Sequence, residues 1–149
     1  MVIKVAEVVI WKGKEILIVK DPKRRDQRPT IPEFILGGDT NNPLFLKHGI
    51  HVRYHMAVSD VRKIVSMTNP PAEKGKLDWI KTDIQVYHAR HRDTYDGNVI
   101  TKDTPNYYWI HAIQAIAILK TVGGRSEDDP LIKYLIHSLQ EPACPTKPI

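Results

Sequence analysis

Two apolar, β-branched segments open the chain. Residues 2–10 (VIKVAEVVI) and 15–19 (EILIV) are separated by four residues that include Gly13. Short β-branched runs joined by a glycine-containing turn are typical of a β-hairpin. The pattern therefore predicts two antiparallel strands at the start of the fold. A third short strand is predicted at residues 34–36, where Gly37-Gly38 ends it.

Residues 47–60 (KHGIHVRYHMAVSD) contain the clearest alternation of apolar and polar positions. Ile50, Val52, Tyr54, Met56 and Val58 alternate with His51, Arg53, His55 and Ala57. A period of two predicts a half-buried strand whose polar face carries His-Arg-His. Residues 87–97 (YHARHRDTYDG) hold a second group of histidines and arginines. If the two stretches lie side by side, their imidazoles and guanidiniums share one surface.

The remaining patterns indicate three helices and one more strand. Residues 61–67 have apolar positions at helical spacing, and residues 82–92 read as a strand. Residues 107–122 are apolar on nearly every side, so they predict a largely buried helix, opened by Thr104-Pro105 and closed by Gly123-Gly124. Residues 131–140 predict a last helix with a leucine stripe, and the acids Glu127, Asp128 and Asp129 suit its positive end.

Together these elements predict an α+β fold. An antiparallel sheet comes from the N-terminal two-thirds of the chain and packs against two C-terminal helices. With 149 residues, of which 42% are hydrophobic and 26% charged, we expect one soluble domain at residues 1–141. Residues 142–149 read as a loose tail.

Composition narrows the possible functions. The net charge of +5 favours attraction to polyanions. A single cysteine, Cys144, excludes an internal disulfide and a zinc site with two thiolates. The sequence shows neither a secretory leader nor an apolar run long enough to cross a membrane, so we expect a cytoplasmic protein without a membrane partner.

The candidate chemistry consists of basic side chains. Arginine presents forked donors that suit phosphate oxygens, and histidines on alternate positions can ligate one metal ion with a neighbouring carboxylate. The equally simple interpretation is that these histidines decorate a solvent-facing strand. The phosphate-binding candidates are Arg24, Arg25, Arg28, Arg53, Arg90 and Arg92. The candidate ligands of a divalent metal, manganese or zinc, are His48, His51, His55, His88 and His91.

Three hypotheses use these same residues. The first is a small basic protein that binds nucleic acid or another phosphate-bearing ligand through the His/Arg face and a basic loop that carries Lys23, Arg24, Arg25 and Arg28. The second is a metal-dependent phosphoester hydrolase, and the third is a protein-interaction module. Tyr107, Tyr108 and Trp109 could stack on bases, but neighbouring positions of a helix point in different directions, so we interpret them as packing.

Two family resemblances accompany these hypotheses. VAEVVIWKGKEILIVKDPKR followed by IPEFILGG resembles the opening of a Nudix hydrolase, with a hairpin, a loop and a Gly-Gly turn. The resemblance implies that topology. The Nudix reaction depends on a helix of glutamates that holds magnesium at a pyrophosphate. No glutamate occurs between Glu33 and Glu73, so the resemblance does not extend to that activity.

The second resemblance is to the 3′-phosphoesterase domain of DNA ligase D. It rests on Phe45-Leu46-Lys47-His48, on Arg53-Tyr54-His55 and on Asn69-Pro70-Pro71. It implies a manganese site in which His48, Arg53 and His55 take the roles of the matching motif residues. Met56-Ala57 stands where that motif has tyrosine and aspartate. Neither resemblance assigns the chain to a family.

Overall fold

The computed structural model describes residues 2–20, 29–37, 42–69, 81–94 and 106–140. Within these ranges the chain forms six strands and three helices. The strands are β1 (Val2–Lys12), β2 (Glu15–Lys20), β3 (Glu33–Ile35), β4 (Met56–Asn69), β5 (Lys81–Thr94) and β6 (Asn106–His111). The helices are α1 (Asn42–Tyr54), α2 (Ala112–Thr121) and α3 (Pro130–Gln140). None of the helices in these ranges is long and apolar enough to span a membrane.

The strands form one mixed sheet in the order β4-β5-β1-β2-β6, with β3 also paired to β1. Strand β1 runs parallel to β5, from Val2 opposite Lys81 to Trp11 opposite Arg90. The other pairings are antiparallel. The α+β class and the mainly antiparallel sheet are therefore as expected. The predicted hairpin is confirmed too, and Gly13 takes the positive φ of 66° that its turn requires.

Helices cover both faces of the sheet. Helix α1 packs on one face, where Ala6, Val8, Leu17, Leu46, Ile50, Tyr54 and Met56 are among the buried residues. Helices α2 and α3 pack on the other, where Val9, Ile16, Ile18, Ala115, Leu119, Leu131 and Leu135 are buried. Burial on both faces explains the nearly unbroken apolar run of β1. The two C-terminal helices lie against the sheet as predicted, and α1 was not predicted.

The prediction of a strand at residues 50–58 is wrong in its first half. Residues 50–54 complete helix α1, and the chain becomes a strand only at Met56. Leu46, Ile50 and Tyr54 are buried at spacings of four, whereas Val52 is 59% exposed. The apolar pattern fits both periods there, and packing against the sheet selects the helix. Helix α1 ends at Tyr54, and the next residue, His55, has a φ of 58° and donates its N–H to the His51 carbonyl.

Residues 61–67, predicted as a helix, belong to the long strand β4. The pairing of β4 with β5 shifts register three times, and Asp60 at one shift has a φ of 55°. Val61 packs on the α1 side of the sheet and Val65 on the α2/α3 side. Bulges of this kind move successive apolar residues between faces, which imitates a helical spacing.

Residues 107–122, predicted as one helix, divide into β6 and α2. Tyr107 and Trp109 pack on the α1 side, and Tyr108 packs on the opposite side. His111, between the two elements, caps α2: its Nδ1 accepts the N–H of Ile113 at 3.1 Å. The predicted opening at Thr104-Pro105 lies outside the described residues, as do the basic loop and the C-terminal tail.

One charged cluster is buried inside the fold. Glu7 in β1 is 3% exposed, and both of its carboxylate oxygens accept hydrogen bonds from Arg125, at 2.6 and 3.3 Å. Arg125 also donates to Asp129 at 3.1 Å. Asp129 in turn accepts the N–H of Leu131 and so caps α3, the structural role expected for the acids before that helix. This cluster fixes the α2–α3 connection to the centre of the sheet.

Candidate ligand-binding site

The structure describes three of the six predicted phosphate-binding arginines. Arg24, Arg25 and Arg28 lie outside the described residues. Arg90 and Arg92 are exposed on β5. Arg53, in the last turn of α1, donates from Nη1 to the Glu33 carbonyl at 2.7 Å, and its guanidinium lies 4.0 Å from the centre of the Phe34 ring. Arg53 therefore joins the end of α1 to strand β3.

The five histidines do not form one cluster. His48 and His51 are exposed on α1, and His55 follows that helix. Residues 56–59 pair with residues 90–94, with Val58 opposite His91, so the two histidine-rich stretches do lie side by side there. The expectation of a single shared surface is nevertheless wrong, because His88 lies beside Val9 on the α2/α3 side while His91 contacts Trp109 on the α1 side. No group of three or more histidines, cysteines or acids that could hold a metal ion occurs among the described residues.

His88 occupies a buried site beside the bulge of β4. Its Nδ1 donates to the Asp60 carbonyl at 3.0 Å and lies 3.6 Å from an Asp60 carboxylate oxygen. Burial lowers the pKa of His88, and the charges of Arg62 and Arg90 lower it further, against the opposing effects of Asp60. At neutral pH His88 is therefore a neutral hydrogen-bond donor within the sheet.

We expect the stability of the protein to fall as His88 takes up a proton. An unfolded histidine has a pKa of about 6.5, and the folded value is lower. The stabilisation is therefore fully present above the unfolded pKa and is lost as the pH falls through the folded pKa. Urea denaturation from neutral pH to about pH 5 should show this loss in wild type and a smaller one in His88→Gln. The exposed His48→Gln variant is the control, and an unchanged pH dependence in His88→Gln would contradict the assignment.

A row of aromatic rings and cations lies on the α1 side of the sheet. We call it the aromatic row, and it consists of Tyr54, Tyr107, Trp109, His91 and Lys12. Tyr54 and Tyr107 meet edge to face, with 5.7 Å between ring centres. His91 and Trp109 meet in the same way at 5.4 Å, and the Lys12 ammonium lies 5.3 Å from the centre of the Trp109 ring. Trp109, Tyr107 and His91 are all partly buried, so the row forms part of the surface.

The sheet brings these residues together from four parts of the chain. Lys12 ends β1, His91 lies near the end of β5, and Trp109 lies opposite Leu17 in the β2–β6 pair. Tyr107 and Trp109 are two positions apart on β6, so they share a face about 7 Å apart. Interpreting residues 107–109 as helical packing missed this platform. The signal was weak, because NYYWIH is rich in the aromatic and β-branched residues that strands favour but does not alternate between apolar and polar positions.

The electrostatics of the row favour an anion with an aromatic part. Burial lowers the pKa of His91, and the Lys12 ammonium lowers it further against the effect of Asp93. At neutral pH the row therefore presents a neutral imidazole, an indole ring and a lysine cation. Such a surface can stack a planar ring and contact a phosphate group at the same time.

Comparisons with known proteins identify the fold. The MutT protein of Bacillus halodurans superposes with a TM-score of 0.68 at 11% sequence identity, over 93% of this chain and 83% of that one. A Nudix hydrolase of Nitrosomonas europaea superposes with a TM-score of 0.67 at 11% identity, over 93% and 88%. The Ap4A hydrolase of C. elegans in a binary complex gives a TM-score of 0.60 at 15% identity, over 92% and 97%.

The protein has a Nudix-like fold. No protein-family model and no curated protein matches the amino-acid sequence. At 11 to 15% identity the likeness establishes the fold alone. These structures superpose on more than nine-tenths of this chain, well beyond the N-terminal segment that carries the resemblance. The motif compared with the 3′-phosphoesterase domain lies on α1 and β4 of this Nudix-like fold.

The described residues of this Nudix-like fold do not fit a glutamate-bound magnesium ion. The helix after the Gly37-Gly38 turn is α1, and its sequence NPLFLKHGIHVRY contains no acidic residue. Its charged side chains are Lys47 and Arg53. Carboxylates are the ligands that magnesium prefers, and α1 supplies none of them.

Proposed function

We propose that this protein binds a nucleotide, a ligand that combines a planar ring with phosphate groups, on the aromatic row. The observation that carries the proposal is the position of Trp109. Its ring is partly buried, is held at its edge by His91 and lies beneath the Lys12 ammonium. This arrangement offers an aromatic surface for a base on β6 and a cation for a phosphate at the end of β1.

The expected contributions to the free energy of binding are large enough for measurable affinity. Stacking of a base on an aromatic side chain contributes about 1–3 kcal/mol. The lysine adds attraction to a phosphate, and the net charge of +5 favours the approach of an anion. Proteins with this fold include an Ap4A hydrolase, which points to a small phosphate-bearing ligand rather than to a nucleic acid.

Hydrolysis of a phosphate ester or anhydride is the second candidate function. It is favoured by the fold, because two of the proteins compared above are named as hydrolases. A hydrolase built on this chain would have to draw its metal ligands or its general acid and base from residues outside α1. Incubation with nucleotides and manganese or magnesium, followed by measurement of released phosphate, tests this candidate directly.

We expect Trp109→Leu to weaken nucleotide binding about 5- to 150-fold, the equivalent of the stacking energy of one base. Isothermal titration calorimetry with ATP, AMP and inorganic phosphate measures the change. The loss should appear for ATP and AMP, whereas the weaker binding of phosphate should stay unchanged. Tyr108→Leu is the matched control, because Tyr108 is the adjacent residue of β6 on the opposite face of the sheet.

Lysine substitutions separate the charge contribution from the stacking contribution. Lys12→Gln should weaken ATP and phosphate alike, while Lys14→Gln, at an exposed lysine in the turn of the hairpin, should leave both unchanged. Equal effects of the two lysine variants would show that only the overall charge matters. Absence of ATP binding by the wild type, or binding of an oligonucleotide in its place, would overturn the proposal.

A further inference from the structure

The contact between α1 and β3 is unusually close. A Cβ atom placed on Gly49 would lie 2.8 Å from the Phe34 ring, closer than real Cβ contacts. One turn later, the Arg53 guanidinium lies 4.0 Å from the centre of the same ring. Gly49 and Arg53 are four residues apart, so they lie on one side of the helix. The ring of Phe34 therefore fills the space that side chains on this side of α1 would need.

The same contact places a permanent positive charge at the end of α1. Arginine has five N–H donors, and the Glu33 carbonyl accepts from one of its nitrogens at 2.7 Å. The guanidinium also lies 5.8 Å from the ring of Tyr54, a member of the aromatic row. Arg53 therefore lies at the Tyr54 end of the aromatic row, where Tyr54 itself is buried.

The net charge of α1 also favours a phosphate over a divalent cation. With histidines neutral, the helix carries two cations, Lys47 and Arg53, and no acids, a formal charge of 2 − 0 = +2. A positively charged helix repels a divalent cation and attracts a phosphate. Phe34 thus leaves no room for a carboxylate side chain at position 49, and the charge of Arg53 opposes a divalent cation on this side of the helix.

We infer that α1 is a metal-free, cationic replacement for a metal-binding helix, and that Arg53 neutralises ligand phosphate where such a helix would use a divalent ion. The inference concerns the proposed nucleotide site and rests on that proposal for its ligand. In metal-dependent binding magnesium strengthens the binding of ATP, and here we expect the reverse. Magnesium neutralises part of the charge of ATP, so adding it should weaken binding by roughly two- to fivefold.

Two measurements on the full-length protein test the inference. The first is a manganese titration followed by water-proton relaxation, which needs no nucleotide. The second is calorimetry with ATP in excess EDTA and in excess magnesium chloride. We expect no saturable manganese binding, together with ATP binding that is stronger in EDTA. Saturable manganese binding, or ATP binding that requires magnesium, would overturn the inference and leave the proposed function standing.

A third outcome distinguishes the proposed nucleotide binding from the inference about α1. If neither manganese nor ATP binds, the proposed function falls, while the metal-free character of α1 is supported. Arg53→Met tests the arginine itself, because methionine keeps an apolar stem against Phe34 without the charge. It should weaken ATP in EDTA severalfold and abolish the effect of magnesium, whereas Lys47→Met, which removes the other cation of α1 at an exposed position, should have a clearly smaller effect on both. Unchanged ATP affinity in a folded Arg53→Met protein would overturn the role of Arg53.

Discussion

Replacement of Arg125 by alanine is expected to lower the free energy of unfolding by about 3–5 kcal/mol. The variant leaves the carboxylate of Glu7, only 3% exposed, without the two hydrogen bonds that compensate its burial. An uncompensated buried charge costs far more than the ion pair itself contributes. Urea denaturation of wild type and variant at neutral pH measures the difference.

The double variant Glu7→Leu, Arg125→Met provides the control. Replacing a buried ion pair by apolar residues of similar size is often neutral or stabilising, so most of the loss should be recovered. Asp129 keeps its hydrogen bond to the N–H of Leu131 in both variants. A loss below about 1 kcal/mol in Arg125→Ala, the range of exposed ion pairs, would show that water reaches Glu7.

Replacement of Tyr54 by aspartate should destabilise the protein by several kcal/mol. Tyr54 is 2% exposed and packs edge to face on Tyr107 between α1 and the sheet. The aspartate would bury a charge and remove a large ring from the core. Thermal and urea unfolding followed by far-ultraviolet circular dichroism should show a sharply lower midpoint.

His51→Ala is the matched control on the same helix. His51 is exposed, and substitutions at such positions usually change stability by about 0.5 kcal/mol or less. A destabilisation by His51→Ala that equals or exceeds that of Tyr54→Asp would mean that α1 packs through a different face. A strand at residues 50–54 would predict the same stability difference between the two variants, because it would also bury Tyr54 and expose His51.

Local sequence was enough where a single pattern dominated. The hairpin of β1 and β2 follows from two β-branched runs around Gly13, and α3 follows from its leucine stripe. The strand β5 was placed almost to its ends, and β3 was recognised beside Gly37. In these segments propensity, periodicity and turn residues all favour the same structure.

The sequence pattern predicted the wrong secondary structure where both the strand period and the helix period fit the same residues. Ile50, Val52 and Tyr54 alternate like a strand, yet Leu46, Ile50 and Tyr54 also form a helical stripe, and only contact with the sheet decides between them. Residues 107–110 are apolar throughout, so periodicity does not distinguish strand from helix there. The pairing of β6 with β2 makes that choice. The consequence was functional, because a strand places Tyr107 and Trp109 on one face.

The amino-acid sequence by itself determined the class of the fold, the N-terminal topology and the absence of acidic residues from positions 42–54. The absence of acidic residues bears most directly on function, since it holds whichever secondary structure residues 42–54 adopt. Only the tertiary structure decided the candidate site. Lys12, His91 and Trp109 are widely separated along the chain, and no local pattern relates them. They meet because β1 pairs with both β5 and β2, and β2 with β6. These long-range pairings depend on which face of the sheet each of the helices α1, α2 and α3 covers.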